Sequence, residues 1–210
     1  MVVVVPESSS PPSPTALTAA FQDWIDLRTA VIEIVDNPGI ADVFPRLLAL
    51  AESSLNRTLR FRDQIKTATI TFTDGVAALP LDFAEAIALY ASTGYEYVQQ
   101  APQTVRANGC YYSIENSSLV SEGISGDLTF QYYASLPPLG ETVTTSNWLL
   151  QRYPDIYLYA VGLEAAKYVK SGDLIQSTRE ALGEAIVTAR GDDSRARYSR
   201  AKVRVAGVTP

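Results

Sequence analysis

The segment 146–170, SNWLLQRYPDIYLYAVGLEAAKYVK, constrains the fold of this chain more than any other stretch. Pro154 lacks an amide hydrogen and suits the first position of a helix, so the segment is predicted to form two helical pieces joined at Tyr153 and Pro154. Either Ser146 or Asn147 is suited to cap the first piece. The second piece is apolar over most of its circumference, which indicates burial on several sides. We therefore expect either the central helix of a domain, or a helix shared between its own domain and a neighbouring subunit.

Three further helices are predicted from apolar residues at helical spacing. They lie at 16–36, at about 41–59 and at 174–190. Gly191 is a suitable C-terminal cap for the last of them, because glycine readily adopts the left-handed conformation that ends many helices.

The periodicity between the helices changes to that of strands. Residues 65–73 alternate in the way a half-buried strand does, and Asp74 with Gly75 forms a turn signal typical of a hairpin. Residues 83–90 are compatible with a helix, but we interpret them as a strand or a turn that leads into one. Short strand patterns separated by turn residues continue to position 136, which predicts a small, mainly antiparallel sheet or barrel.

This order of elements predicts an α+β fold, in which the N- and C-terminal helices pack as a bundle around an inserted small antiparallel β-sheet or barrel. The expected divisions are an extended arm at 1–15, a domain at 16–191 with helical parts 16–62 and 146–191 and a β-rich insertion at 63–136, and a basic tail at 192–210.

Two residue types that support most protein chemistry are nearly missing. The 210 residues include no histidine and one cysteine, Cys110. A single cysteine permits no internal disulfide and favours a reducing compartment. Without histidine, the commonest general base and metal ligand is lost, and so are His-based triads and zinc sites.

No apolar run is long enough to span a membrane. We expect a soluble protein with no catalytic residues, metal or cofactor.

Two acid pairs leave a second interpretation open. Asp23 with Asp26, and Asp82 with Glu85, are compatible with the two carboxylates of a glycosidase, although surface acids account for both pairs. Their spacing alone does not distinguish these alternatives.

Twelve tyrosines form the other candidate site. Tyrosine buries a large area and keeps a polar tip, so it is enriched where proteins meet, although the same residues suit a small core or a sugar-binding surface. We single out five aromatic residues as candidate subunit or tail contacts: Trp148, Tyr153, Tyr157, Tyr111 and Tyr133.

The C-terminal segment differs in charge from the rest of the chain. Residues 192–210 hold five basic and two acidic residues, a net charge of +3, while the first 191 residues carry −9 within the total of −6. A solvated tail, contact with phosphate and docking on an acidic partner are all compatible with this pattern. We favour docking, because the acidic body would repel a duplex. The basic residues are Arg195, Arg197, Arg200, Lys202 and Arg204.

The N-terminal residues 1–15 combine a run of valines with a segment rich in proline and serine. They are expected to form an extended arm. The arm is either a frayed terminus or a strand added to the sheet edge of a neighbouring molecule.

Four short motifs, taken in order, resemble phage adaptor proteins, the head-to-tail connector or gatekeeper proteins of short-tailed phages and related particles. The resemblance covers roughly residues 16–190. The motifs are AESSLNRTLR at 51–60, VAALPLDF at 76–83, QYYA at 131–134, and NWLL at 147–150 with YPDIYLY at 153–159.

The resemblance implies a structural protein of the virion neck, made in the host cytoplasm. Such a protein forms a ring of twelve copies below the portal, extends the DNA channel used in genome ejection, and offers a docking surface to the tail nozzle protein. DNA passes without specific binding. The helical part would meet the portal, the β part would face the tail, and Arg195–Arg204 would reach onto the portal.

The polar strand region 119–126 and the arm at 1–15 depart from the adaptor pattern. A carbohydrate-binding or glycan-degrading tail component, and a non-viral interaction domain, are the alternatives.

Overall fold

A computed structural model describes residues 20–102, 111–142 and 144–198, with only the backbone of Tyr198 included. These residues form a mixed fold of helices and strands. The helices are α1 (Trp24–Val35), α2 (Phe44–Thr58), α3 (Trp148–Arg152), α4 (Pro154–Val169) and α5 (Gly172–Tyr198). The strands are β1 (Ile65–Phe72), β2 (Val76–Ala78), β3 (Phe83–Tyr90), β4 (Glu96–Gln99), β5 (Tyr111–Glu115), β6 (Ser118–Val120) and β7 (Gly126–Ala134).

Helix α4 is in contact with α1, α2, α3 and α5. It begins at Pro154, as predicted, and Asn147 caps α3 by accepting a hydrogen bond from the amide of Leu150. Its buried residues lie on more than one face and include Ile156, Tyr157 and Val161. Elements of its own chain therefore pack against α4 on several sides, and contact with a neighbouring subunit stays a prediction.

The first helix begins later than position 16. The side chain of Asp23 accepts hydrogen bonds from the amides of Ile25 and Asp26, at 2.9 and 3.0 Å, and this cap sets the start of α1 at Trp24. Residues 16–19 lie outside the described part of the chain. A 3₁₀ helix at Pro38–Asp42 then precedes α2.

The strands form one sheet in the order β1-β7-β3-β4-β5-β6-β2. All of its strand pairs are antiparallel except β4 with β5. The end strands β1 and β2 follow each other in the chain and are linked by a bridge between Thr73 and Val76, so the sheet is nearly closed. The ambiguous stretch 83–90 is a strand, as interpreted from the sequence.

Helices and sheet have separate cores, which meet at the segment between α2 and β1. Gln64 accepts a hydrogen bond from the amide of Phe61 at 2.9 Å and donates one to the carbonyl of Ala134 at 3.3 Å. Because Ile65 pairs with Tyr133, the insertion leaves the helical part and returns to it at neighbouring points.

The last helix is longer than the sequence suggests. Helix α5 passes through Gly191 and continues to Tyr198, so the predicted end at Arg190 is wrong. Glycine inside a helix costs only about 1 kcal/mol relative to alanine, which contacts of the following turns can offset. Residues 199–210 lie outside the described part. Among the described helices, none has the length and apolarity needed to cross a membrane.

Candidate functional site

The end of α5 is fixed to the body at a cluster that we call the junction, formed by Arg60, Arg62, Tyr133, Asp193 and Arg197. Asp193 is 5% exposed and accepts a hydrogen bond from the amide of Arg62 at 3.1 Å. Its other carboxylate oxygen lies 2.8 Å from the guanidinium of Arg197. A carboxylate buried beside a cation in this way ties the last turns of the helix to the start of the sheet.

Arg197 is the central cation of the junction. It donates to the carbonyl of Arg60 at 3.1 Å and to the hydroxyl of Tyr133 at 3.4 Å. Burial alone would lower the pKa of Arg197, but the contacts with Tyr133 and Asp193 outweigh burial and raise it. The guanidinium therefore stays charged and is used inside its own chain.

Nearby charges complete the junction. Arg60 lies over the ring of Tyr133 at 5.8 Å and pairs with Glu85 at 2.6 Å. Arg190 donates to the carbonyl of Thr58 at 2.9 Å, which holds α5 against the end of α2.

The five predicted portal-docking residues thus have different positions. Arg197 is committed to the junction, whereas Arg195 has 78% of its side chain exposed and pairs with Asp192 one turn earlier. Arg200, Lys202 and Arg204 lie outside the described residues.

Tyr157, one of the predicted contact residues, is fully buried. Its hydroxyl donates to Glu52 at 3.0 Å and accepts from the amide group of Asn147 at 2.8 Å. Glu52 also accepts from the amide of Leu139 at 2.8 Å. We call Glu52, Asn147 and Tyr157 the buried triad, and it connects α2, α4 and the segment that returns from the sheet.

Burial affects the protonation of the two titratable members of the buried triad, Glu52 and Tyr157. It raises the pKa of Glu52, against the opposing effect of the hydrogen bonds from Leu139 and Tyr157. Burial and the neighbouring Glu52 also raise the pKa of the Tyr157 hydroxyl, which remains protonated as a donor.

Tyr153 is 9% exposed and packs on Phe61, with ring centroids 5.3 Å apart. The side chains of Tyr153 and Tyr157 therefore contact residues of their own chain, and contacts of these tyrosines with another molecule stay a prediction. Their spacing of one helical turn reflects the core side of α4. Trp148, Tyr111 and Tyr133 are half-buried and keep some exposed area.

The acid pairs have structural partners. Asp23 caps α1, and Asp82 binds Lys66 at 2.6 Å and the Tyr132 hydroxyl at 2.9 Å. Burial opposes ionisation of Asp82, but these two partners outweigh burial and lower its pKa. Burial first, and Asp82 second, raise the pKa of Tyr132 to about 12.

Metal binding finds no support in the described residues, which hold no group of three or more His, Cys, Asp or Glu side chains placed to share an ion. Cys110 lies outside them.

Exposed aliphatic side chains are the surface feature that the sequence did not reveal. Leu50 on α2 is 52% exposed, Val187 on α5 is 70% exposed, and Leu81 in the turn before β3 is fully exposed. Large apolar residues in contact with solvent cost about 25 cal/mol per Å² relative to burial, so such positions are suited to contact with another molecule.

Comparison with protein families matches residues 16–206 to the family described as SU10 adaptor protein. A search of curated proteins finds no match.

Proposed function

Because the chain belongs to the SU10 adaptor protein family, a family of phage head–tail adaptors, we propose that this virion protein forms a ring of twelve copies between the portal and the tail nozzle. The observation that carries the proposal is the extent of the match. It spans residues 16–206 and therefore includes the helical part, the inserted sheet and α5.

The helical part would meet the portal, assisted by the C-terminal segment. The junction supports this role because it holds the last described turns of α5, which directly precede residues 199–210 in the chain. Arg197 would position that segment. Contact with an acidic portal surface would then fall to Arg195 and to the basic residues beyond it, Arg200, Lys202 and Arg204.

The sheet would face the tail nozzle. Its described surface offers Leu81 fully exposed and Val98 52% exposed, and Tyr111 is half-buried on β5. Exposed aliphatic and aromatic side chains are typical of the centre of protein interfaces. Trp148, at the start of α3, lies on the helical side and would contribute to contacts between subunits.

The charge of the body suits a channel for DNA. A surface that holds a duplex carries clustered Lys and Arg, which release counterions from the phosphates. Here the total charge is −6 and the first 191 residues are more acidic still. An acidic ring would let DNA pass during genome ejection without retaining it.

The carboxylates that were considered for a glycosidase have structural roles in this fold. Asp23 caps a helix, Asp82 is paired with Lys66, and Glu85 is paired with Arg60. No specific observation favours a carbohydrate-directed function over the adaptor function.

The test combines the purified protein with portal complexes from the same particle. We expect the protein to add to portal complexes as a ring, which light scattering and electron microscopy would detect as added mass and a new layer. Deletion of residues 199–210 should weaken attachment at least tenfold, because the deletion removes three basic residues while leaving the junction intact.

Deletion of residues 1–15, outside the family match, is the matched control. It should leave attachment within twofold of the full-length protein. A full-length protein that remains monomeric and ignores portal complexes would refute the proposed function.

A further inference from the structure

The outward side of α2 carries a basic stripe, formed by Arg46, Leu50, Ser53 and Arg57. The spacing i, i+4, i+7, i+11 places these residues on one face of the helix. All four are exposed, and Leu50 lies between the two arginines. Arg57 donates to Ser53 at 2.8 Å, but neither arginine makes an ion pair with another described residue.

The outward side of α5 carries an acidic stripe, formed by Glu180, Gly183, Glu184 and Val187. Together with Arg179 and Thr188, they line an open groove of about 660 Å³. Val187 is 70% exposed, and Gly183 leaves a notch beside it, because a Cβ added there would meet nothing within 4 Å. Neither glutamate makes an ion pair within the described part of the chain.

The two stripes are opposite in charge. The basic stripe carries +2, while the acidic stripe together with Arg179 carries −1. In the basic stripe Leu50 lies between the two arginines, and in the acidic stripe Val187 lies one turn beyond Glu184. Each stripe therefore combines an exposed aliphatic side chain with charged residues, as specific interfaces do. Opposite charges at the rim orient the partners and exclude pairings of like faces.

The stripes lie on two different helices, and both helices are in contact with α4. Contact between two different faces is heterologous, so every added copy presents a fresh face to the next one. Such contacts close into a ring when the rotation between copies divides a full turn.

We propose that the basic stripe of one copy packs against the acidic stripe of the next, with Leu50 seated in the notch at Gly183 beside Val187. This inference rests on the proposed function, because it names the surfaces through which that ring would form.

Charge reversal provides the main test. One variant carries Arg46→Glu with Arg57→Glu, and a second carries Glu180→Lys with Glu184→Lys. All four side chains are exposed, so both variants should fold, which circular dichroism would check. Each variant alone should lose at least tenfold in self-association, because like charges then face each other at every contact.

The two variants mixed in equal amounts should assemble again. In the mixture, each reversed stripe faces a stripe of opposite charge, and each unchanged stripe faces its original partner type. Only rings with alternating subunits satisfy both contacts, so native mass spectrometry should find even copy numbers with equal shares of the two variants.

Gly183→Met tests the notch separately. The added side chain fills the notch and replaces glycine at an exposed helical position, where glycine costs about 1 kcal/mol. We expect an unchanged or higher Tm together with weaker assembly. Glu33→Met, which adds the same side chain to an exposed position of α1, should leave assembly unchanged.

The outcomes separate this inference from the proposed function. Rings that form normally from either charge-reversed variant, or a mixture that fails to assemble while the unmodified protein does, would overturn the stripe pairing alone. An unmodified protein that never associates, with or without portal complexes, would overturn the ring and the pairing together.

Discussion

Glu52 is a carboxylate placed inside the helical core, where it accepts hydrogen bonds from Tyr157 and from the backbone of Leu139. A buried polar group that loses its partner costs about 1–3 kcal/mol, so the buried triad fixes the position of three segments relative to one another. The stability of this arrangement depends on pH, because burial raises the pKa of the Glu52 carboxyl above its ordinary value of 4.5.

Glu52→Gln should remove that pH dependence. A raised pKa means that the folded state binds the proton more tightly, so the wild type gains stability as pH falls through the raised pKa towards 4.5. Glutamine cannot take up a proton, so the variant lacks this gain. The wild type should therefore become more stable relative to the variant, measured as free energy of unfolding, as the pH is lowered from 7 to 5.

Urea unfolding at several pH values measures this difference, and Glu33→Gln at an exposed position is the matched control. Parallel pH curves for wild type and Glu52→Gln would contradict the expectation.

Contacts between single residues that are far apart in the chain could not be predicted from the sequence. Tyr157 could be recognised as an aromatic residue on a largely buried helix, but its partner Glu52 is 105 positions away. The pair of Asp193 and Arg62 is 131 positions apart. No local pattern links such residues, because folding of the intervening chain brings them together.

At the scale of elements, local signals were reliable. Pro154 marks the start of α4, and the turn at Asp74 and Gly75 separates β1 from β2 as expected. The errors occurred where distant contacts override a local signal. Gly191 suggested a helix end, yet Asp193 and Arg197 find partners on the body that extend α5 to Tyr198.

Gly75→Ala should destabilise the sheet strongly. Gly75 has φ +80°, and a Cβ there would lie 2.3 Å from the carbonyl oxygen of Ser121. The substitution therefore adds a backbone clash to the strain of a positive φ, and we expect a loss of at least about 2 kcal/mol in denaturant unfolding.

Gly94→Ala separates the two effects. Gly94 has nearly the same φ, +83°, but a Cβ there would meet nothing within 4 Å. Gly94→Ala should lower the free energy of unfolding by about 1 kcal/mol, which is the cost of the positive φ alone. Equal losses of stability for the two substitutions would show that the close approach to Ser121 does not contribute to the cost at Gly75.

At the scale of the whole molecule, the described residues form two hydrophobic cores, one among the helices and one in the sheet, connected by the junction and by the chain on either side of the insertion. The mixture of helices and strands, with the strands in the middle of the chain, followed from periodicity. Strand order did not, because the parallel pairing of β4 with β5 leaves no mark in either strand. The charged stripes also escaped detection, since they become visible only once the buried sides of α2 and α5 are known.

Asp193→Ala should loosen the connection between the two cores. The amide of Arg62 would lose its acceptor and the guanidinium of Arg197 would lose its ion-pair partner, at an expected cost of about 1–3 kcal/mol in unfolding free energy. Hydrogen exchange should accelerate at residues 192–198 and stay unchanged at the middle of α5. Asp192→Ala, one position earlier and exposed, should change neither quantity.

The insertion departs and rejoins through β1 and β7, which are adjacent antiparallel strands with Ile65 opposite Tyr133. Segments attached through neighbouring ends are exchanged most readily, since the surrounding scaffold keeps its spacing. Residues 65–134 therefore form a natural cassette. Exchange of this cassette for another sheet with the same spacing of its ends would leave the helical part of the chain intact.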